Sequence, residues 1–289
     1  MAGEMRNGRG PGLHIDRGQS IGFTFDGHRI EGYAGDTIGS ALAGAGMRTM
    51  SRSFKYHRPR GLLCVAGRCP NCLMTVDGTP NVRACTTPAV DGMVVRSQNV
   101  WPSVGLDAMS VLDSAEKVLP VGFYYKAMHK PKALWEAARP IIRRAGGLGS
   151  INPESDHHPA FGHRSVHVDV MVVGGGDSGT AAAAAAAGGG SRVVLVDDQP
   201  KIGAGRRPAE ADALASLLAD PLIEVWSGST AFGFYSDNLV TVLSEGEVLT
   251  VRAGRVVLAT GAHEVPFLFP GNDLPGLMLA SGALRLMRM

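Results

Sequence analysis

The stretch CVAGRCPNC, Cys64 to Cys72, gathers three of the chain's four cysteines, and Cys85 completes the pattern C-x4-C-x2-C-x12-C. The first part is the plant-type ferredoxin spacing, in which thiolates grip a [2Fe–2S] cluster. A loop that wraps three thiolates around one small centre needs tight turns. Gly67 relieves backbone crowding between Cys64 and Cys69, and Pro70 stiffens the link to Cys72. Structural zinc also takes four thiolates, but its usual signature is two C-x2-C knuckles, and only one is present. Three readings stand at this point: a cluster, a zinc ion, or buried or redox-active thiols. The spacing favours the first, with Cys64, Cys69, Cys72 and Cys85 as the metal ligands.

The flanks agree with that choice. Upstream, Ile21, Phe23 and Phe25 alternate with small or polar residues and run into Asp26-Gly27, a hairpin signal, with a second strand from His28 to Tyr33. Asp36 or Thr37 then offers an N-cap for a helix carrying Ile38, Leu42 and Met47. Downstream, LMTVDGT and GMVVRSQ supply two more strands, the first closing on another Asp-Gly turn. Two strands, a short helix and further strands around the cysteines predict an α+β, β-grasp (ferredoxin-like) domain over residues 1–105.

A second motif lies downstream. VVGGGDSG, Val172 to Gly179, follows the apolar run VDVMVV and precedes a row of alanines, so Gly174, Gly176 and Gly179 stand where the dinucleotide fingerprint needs them. The glycines allow a tight turn and close approach of a pyrophosphate, and Asp177 and Ser178 open the helix whose N-terminus takes the charge. RVVLVDD is the next strand. It ends in Asp197 and Asp198 about 20 residues beyond the loop, where a carboxylate takes the ribose hydroxyls, and Asp198 is the favoured one. VRAGRVVLATGA gives another buried strand ending in Thr260 and Gly261. These features predict an α/β Rossmann-like domain over residues 166–289, binding FAD or, alternatively, NAD; the bland alternative is a glycine-rich turn in an ordinary α/β domain.

Between them, residues 106–165 read as a connector. MSVLDSAEKVLP and KALWEAARPIIRRAGGLG have helical patterning, and INPESDHHPAFGHR is a polar linker whose His157, His158 and His163 are solvated surface rather than a metal site. At 289 residues the chain has room for two cores. Net charge is +2 and charged residues make up 19%, which argues against a nucleic-acid binder, and the three arginines among the first glycines mark a flexible arm. No apolar run reaches the roughly 20 residues that span a bilayer, and no secretory leader is visible. The expected location is the cytoplasm, where thiols stay reduced.

Several longer segments carry a family resemblance. RSFKYHRPRG (Arg52 to Gly61), NVWPSV, GFYYKAMHKPKALWE, VVGGGDSG and ATGAHEVPFLFPGNDLPGLML together resemble the N-terminal portion of the α subunit of heterotetrameric sarcosine oxidase. The cysteines make the chain similar to the cluster-bearing relatives in opine oxidases, D-hydroxyproline dehydrogenases and hydrogen cyanide synthase. The resemblance implies an oxidoreductase subunit within a hetero-oligomer. A partner subunit oxidises a small secondary or N-methyl amine at its flavin, and electrons pass through the [2Fe–2S] cluster and a second flavin, FAD. It also implies a longer chain, in which a second nucleotide domain follows FPGNDLPG and a later return completes the first, so the dinucleotide domain is expected to be incomplete. The other reading is a non-catalytic scaffold that keeps the folded domains without turnover.

Lys55, His57 and Arg58, just before the cluster loop, invite a role in steering a partner or tuning the cluster. The plainer expectation is an ordered surface loop packed by Phe54 and Tyr56. Likewise His263 could shape the dinucleotide pocket, while Glu264, before Val265-Pro266, reads as structural. No Ser/His/Asp or paired-carboxylate arrangement is present, so catalytic residues stay unknown.

Overall fold

A computed structural model of the chain describes residues 15–114, 122, 130–145, 147, 149–150, 161–203, 214–216 and 218–289. Residues 1–14 of the N-terminal arm, His157 and His158 lie outside the described residues, as do residues 115–121 and 123–129 of the connector, while Asp16, Arg17 and Gly18, expected in the arm, stand in the first strand. The fold divides into two compact units, one of Met1–Ser155 with Glu264–Met289 and the other of Asp156–His263.

The first unit opens with β1 (Asp16–Phe25) and β2 (His28–Ala34). Asp26 and Gly27 both take positive φ, 48° and 81°, the two-residue turn whose twist matches the strands it joins. Helix α1 (Ile38–Gly44) starts at Thr37, whose side chain accepts from the Ser40 amide while Ser40 bonds back, a capping box. Asp36, the other candidate cap, is buried and accepts from the Ser40 hydroxyl and the Tyr33 amide. Met47 lies beyond the helix.

A two-residue pair, β3 (Ser51–Arg52) and β4 (Pro59–Arg60), precedes the cysteine loop, and β5 (Leu73–Val76), β6 (Thr79–Arg83) and β7 (Val94–Ser97) follow it. The sheet order is β2-β1-β7-β5-β6, with β1 and β7 parallel and the other pairs antiparallel. Phe23, Phe25, Ile38, Leu42, Met74 and Val95 are almost completely enclosed between sheet and helix, each contributing about 1.5–3 kcal/mol by leaving water. Strand β6, a one-sided edge with alternating exposure, is absent from the sequence reading because Pro80 and Asn81 mask its pattern. Farther on, α2 (Val111–Ser114) and α3 (Lys132–Ala145) supply the helical character expected of the connector.

The second unit is a six-stranded sheet. It contains β8 (Gly162–Val173), α4 (Asp177–Gly188), β9 (Val193–Val196), β10 (Ile223–Trp226), β11 (Thr230–Tyr235), β12 (Leu239–Ser244) and β13 (Glu247–Leu258). The order is β10-β9-β8-β13-β12-β11; the first four strands are parallel, and β12 and β11 return antiparallel from β13. Ala183 and Ala187 are the buried face of the slim helix α4, which lies on β8 and β9. β8 begins earlier than the apolar run at Val168: residues 162–167 pair in register with Glu247–Arg252. His163 therefore stands on a strand, its Nε2 3.2 Å from the Thr250 hydroxyl, and not in a polar linker. A long partner strand holds this extension in place, which the polar text HRSVH does not advertise.

The chain then enters α5 (Ala280–Arg288). The tail Glu264–Met289, expected to belong with the dinucleotide-binding residues, makes its contacts in the first unit, where Met278, Leu286 and Met289 pack on the core beside α1. The second compact unit thus ends at His263, while the dinucleotide-binding segment expected from the sequence runs on through residue 289.

Candidate functional sites

Each cysteine is placed by an element end. Cys64 and Cys69 lie in the loop after β4, Cys72 immediately precedes β5, and Cys85 lies two residues past β6. Because β5 and β6 form a hairpin with Leu73 opposite Arg83, Cys72 and Cys85 meet, and the Ala84 amide donates to the Cys72 carbonyl at 3.0 Å. Helix α1 closes one side: an added Cβ on Gly39 would stand 3.1 Å from the Cys85 Cα, too close for a larger residue. Cys64, Cys72 and Cys85 are buried, Cys69 is half-buried, and none is in a disulfide.

The four thiols neighbour one another: Cys64 stands by Cys69 and Cys85, and Cys85 by Cys72. Burial, together with the bond to Cys64, pushes the Cys69 thiol up. The bond to Cys85 and then burial push Cys72 up, while the same bond pulls Cys85 down to about 6, helped by the Gly67 amide against the opposing effect of burial. Amides of Gly67 and Arg68 donate to the sulfurs of Cys85 and Cys64, both at 3.3 Å. Val65 and Gly67 hold positive φ, 46° and 66°, to aim those amides inward; a β-branched residue there is strained, and the strain is local to the site.

Among the described residues no group of three or more His, Cys, Asp or Glu side chains is placed to hold one metal ion. Four gathered thiols with no three placed for one ion suit a two-iron centre, with two thiolates for each iron, better than a single tetrahedral ion. The donor set is all sulfur and has inward amide donors, so the residues present fit a [2Fe–2S] cluster.

Lys55, His57 and Arg58 lie elsewhere in the first unit. His57 is buried with its Nδ1 2.7 Å from the buried Asp107 carboxylate, Arg58 meets Asp113 at 2.6 Å, and Lys55 lies over the Tyr56 ring. The loop is pinned by these charges and by Arg52, which donates to the His57 and Val104 carbonyls. Phe54, expected to pack it, is exposed.

In the second unit, the turn after β8, the end of β9 and the end of β13 come together at the carboxyl edge of the parallel strands. A Cβ on Gly174, whose φ is 109°, would run into the Ala259 carbonyl, and one on Gly179 into the Gly174 carbonyl. Those two glycines exist for chain packing. Gly176 differs, because nothing lies within 4 Å of where its Cβ would stand. It is the N-cap of α4 and offers no side-chain bond, which leaves the kind of amide-lined helix end that takes a phosphate. The open space over Gly176 is the cradle that the pyrophosphate reading requires. Asp177 occupies the first turn, where an acid suits the helix dipole, and Ser178 follows it.

The two acids separate. Asp197 accepts from the Gly175 amide at 2.5 Å and from Gln199 at 2.9 Å, so it is tied to the glycine loop. Asp198 is exposed and bonded to the Gln199 side chain. The favoured Asp198 is therefore the acid farther from the loop's own bonding; every residue of β9 is buried, so alternation could not rank the two. Thr260 and Gly261 emerge exposed from β13 beside Gly174, with Gly261 at φ 74°. Glu264 accepts from the Ala280 and Ser281 amides at 2.9 and 2.8 Å and caps α5, as a structural reading expects; those donors, Ser281 foremost, hold its carboxyl below the usual range.

Comparison with known proteins agrees with this geometry. Residues 18–100 match the 2Fe-2S iron-sulfur cluster binding domain family, and residues 168–285 match the pyridine nucleotide-disulphide oxidoreductase family. The pair defines an oxidoreductase chain that joins an iron–sulfur domain to a dinucleotide-binding domain. The chain is 38% identical over 94% of its length to the sarcosine oxidase subunit alpha of Rhizobium meliloti, covering 30% of that protein. It is also 32% identical over 26% of its length to the hydrogen cyanide synthase subunit HcnA of Pseudomonas aeruginosa, covering 70% of it. Over nearly its whole length it is thus similar to sarcosine oxidase α subunits, and its two domain matches indicate a [2Fe–2S] cluster and FAD as cofactors. The chain spans about a third of the length of the curated α subunits it matches. The L-proline dehydrogenase of P. horikoshii shares the fold at a TM-score of 0.64 and 22% identity, over 96% of this chain and 48% of that one.

Proposed function

We propose that the chain is the electron-transfer part of a multi-subunit oxidoreductase of sarcosine oxidase type, acting on a secondary or N-methyl amino acid. Cys64, Cys69, Cys72 and Cys85 hold the [2Fe–2S] cluster. Gly174, Gly176 and Gly179, with Asp177 and Ser178 at the helix start, cradle the FAD pyrophosphate. Asp197 and Asp198 meet the ribose, and Thr260 and Gly261 border the same crevice. Residues 1–105 are the cluster domain, 106–165 the connector, and the dinucleotide domain begins at 166.

The observation that carries the reading is the gathering of four buried or half-buried cysteines, Cys72 and Cys85 by the β5–β6 hairpin, in a chain that also holds a glycine loop with an open cradle. The cluster, when bound, supplies one-electron transfer, and FAD couples that to two-electron chemistry. The residues here bind, orient and shield. Burial of Cys64, Cys72 and Cys85 excludes water, and the inward amides stabilise charge on sulfur. Partners would be flavin-bearing subunits that oxidise the amine; a net charge of only +2 gives no reason to expect nucleic acid. Among the described residues no helix is long and apolar enough to cross a membrane.

Anaerobically purified chain should carry about two irons with matching labile sulfide, and visible bands of a [2Fe–2S] centre. Reconstituted with its flavin-bearing partner, it should bleach on addition of an N-methyl or cyclic secondary amino acid. Zinc in place of iron would defeat the cluster assignment, and cofactors that no amine reduces would favour the scaffold reading.

A further inference from the structure

We infer that helix α5 is a wall of the cluster pocket, with Gly282 seating it on Cys64 and Arg285 acting as a positioning residue for the Cys64 end of the loop. The inference rests on the cluster reading above and deepens it.

The contacts converge on one place. The Leu279 amide donates to the Leu63 carbonyl at 3.0 Å, and an Arg285 guanidinium nitrogen donates to the Cys64 carbonyl at 3.2 Å. Gly282 is buried, and an added Cβ would stand 2.5 Å from the Leu63 carbonyl oxygen and 3.1 Å from the Cys64 carbonyl carbon. Only glycine lets helix backbone reach loop backbone at that distance. Two further ties fix the approach: Glu264 caps the helix, and Arg60 pairs with Asp273 at 2.5 Å in the segment leading to it. One backbone and one side-chain donor from residues 279–285 and one missing side chain thus enclose the peptide that carries Cys64. That peptide leads into strained Val65 and the amides that bond sulfur.

Charge gives Arg285 a role beyond packing. Reduction adds one electron, hence one negative charge, to a centre whose thiolate ligands are already negative. A guanidinium bonded to the backbone of a ligand residue favours the reduced form and raises the potential. Glu264 faces the same guanidinium and offsets part of its field, so the two are read together.

The test uses the full chain with Gly282→Val, Arg285→Gln and Arg285→Lys, read by redox titration, iron and FAD content, and alkylation of Cys64 by iodoacetamide in the metal-free chain, located by mass spectrometry. Arg285→Gln should move the midpoint to more negative potential, and Arg285→Lys should return most of the shift. Gly282→Val should raise Cys64 alkylation several-fold and lower iron content, with FAD content unchanged. An unchanged midpoint in Arg285→Gln together with unchanged alkylation in Gly282→Val overturns the inference. Wild-type chain without iron overturns the cluster reading instead, and the alkylation result still decides whether α5 covers Cys64.

Discussion

The cysteine site and the glycine turn at Gly176 are built from different neighbours. The cysteine loop draws on β4, the β5–β6 hairpin, α1 and the distant tail, and it buries three of its four sulfurs. The glycine loop is local: strand, turn and helix follow one another, two glycines are consumed by backbone packing, and Gly176 faces empty space. The difference is chemical. A cluster is held by covalent bonds from a few soft ligands that must be gathered and dried, whereas a pyrophosphate is held by amides that need only room and direction.

The comparison can be broken most forcefully at the glycines. Gly179→Val should destabilise the second unit by about 3 kcal/mol or more, since its Cβ meets a carbonyl with no way to yield. Gly176→Val should leave the thermal midpoint nearly unchanged yet abolish FAD retention. Equal losses of stability in the two variants would show that Gly176 also serves packing.

A second contrast lies in titration. In the metal-free chain, Cys85 has a depressed pKa of about 6 against an ordinary 9.0, so the stability it adds is full above the ordinary value and is lost as pH falls through about 6. Cys72 moves upward, so the pair releases one proton early and holds the other. Thiolate absorbance of metal-free chain should therefore rise with a midpoint near 6, and Cys85→Ser should remove that step; a first step at the ordinary thiol value would contradict the paired geometry.

The smallest effect sharpens the glycine side. Asp197→Ala should weaken FAD binding more than Asp198→Ala, because only Asp197 also holds the Gly175 amide. The reverse order, measured by cofactor dissociation, would restore the sequence-based preference for Asp198.

Patterns confined to neighbouring residues were legible in the text of the chain. The Asp26-Gly27 and Asp77-Gly78 turns, a helix capped at Asp36 or Thr37 and the strand–glycine–helix unit all read correctly, because turn dihedrals, capping and 2.0- or 3.6-residue periods are local physics. Strand β6, the early start of β8 and the two outer strands β11 and β12 escaped, since edge and extension strands take their stability from partners rather than from composition.

By itself the sequence determined the two kinds of site and the residue types each needs, for those are set by chemistry over a few positions. Only the tertiary structure decided that a hairpin brings Cys72 to Cys85, that Asp197 and not Asp198 is bonded to the glycine loop, and that the last helix lies on Cys64. Such facts depend on which distant backbones come within bonding distance, and no local pattern carries that information.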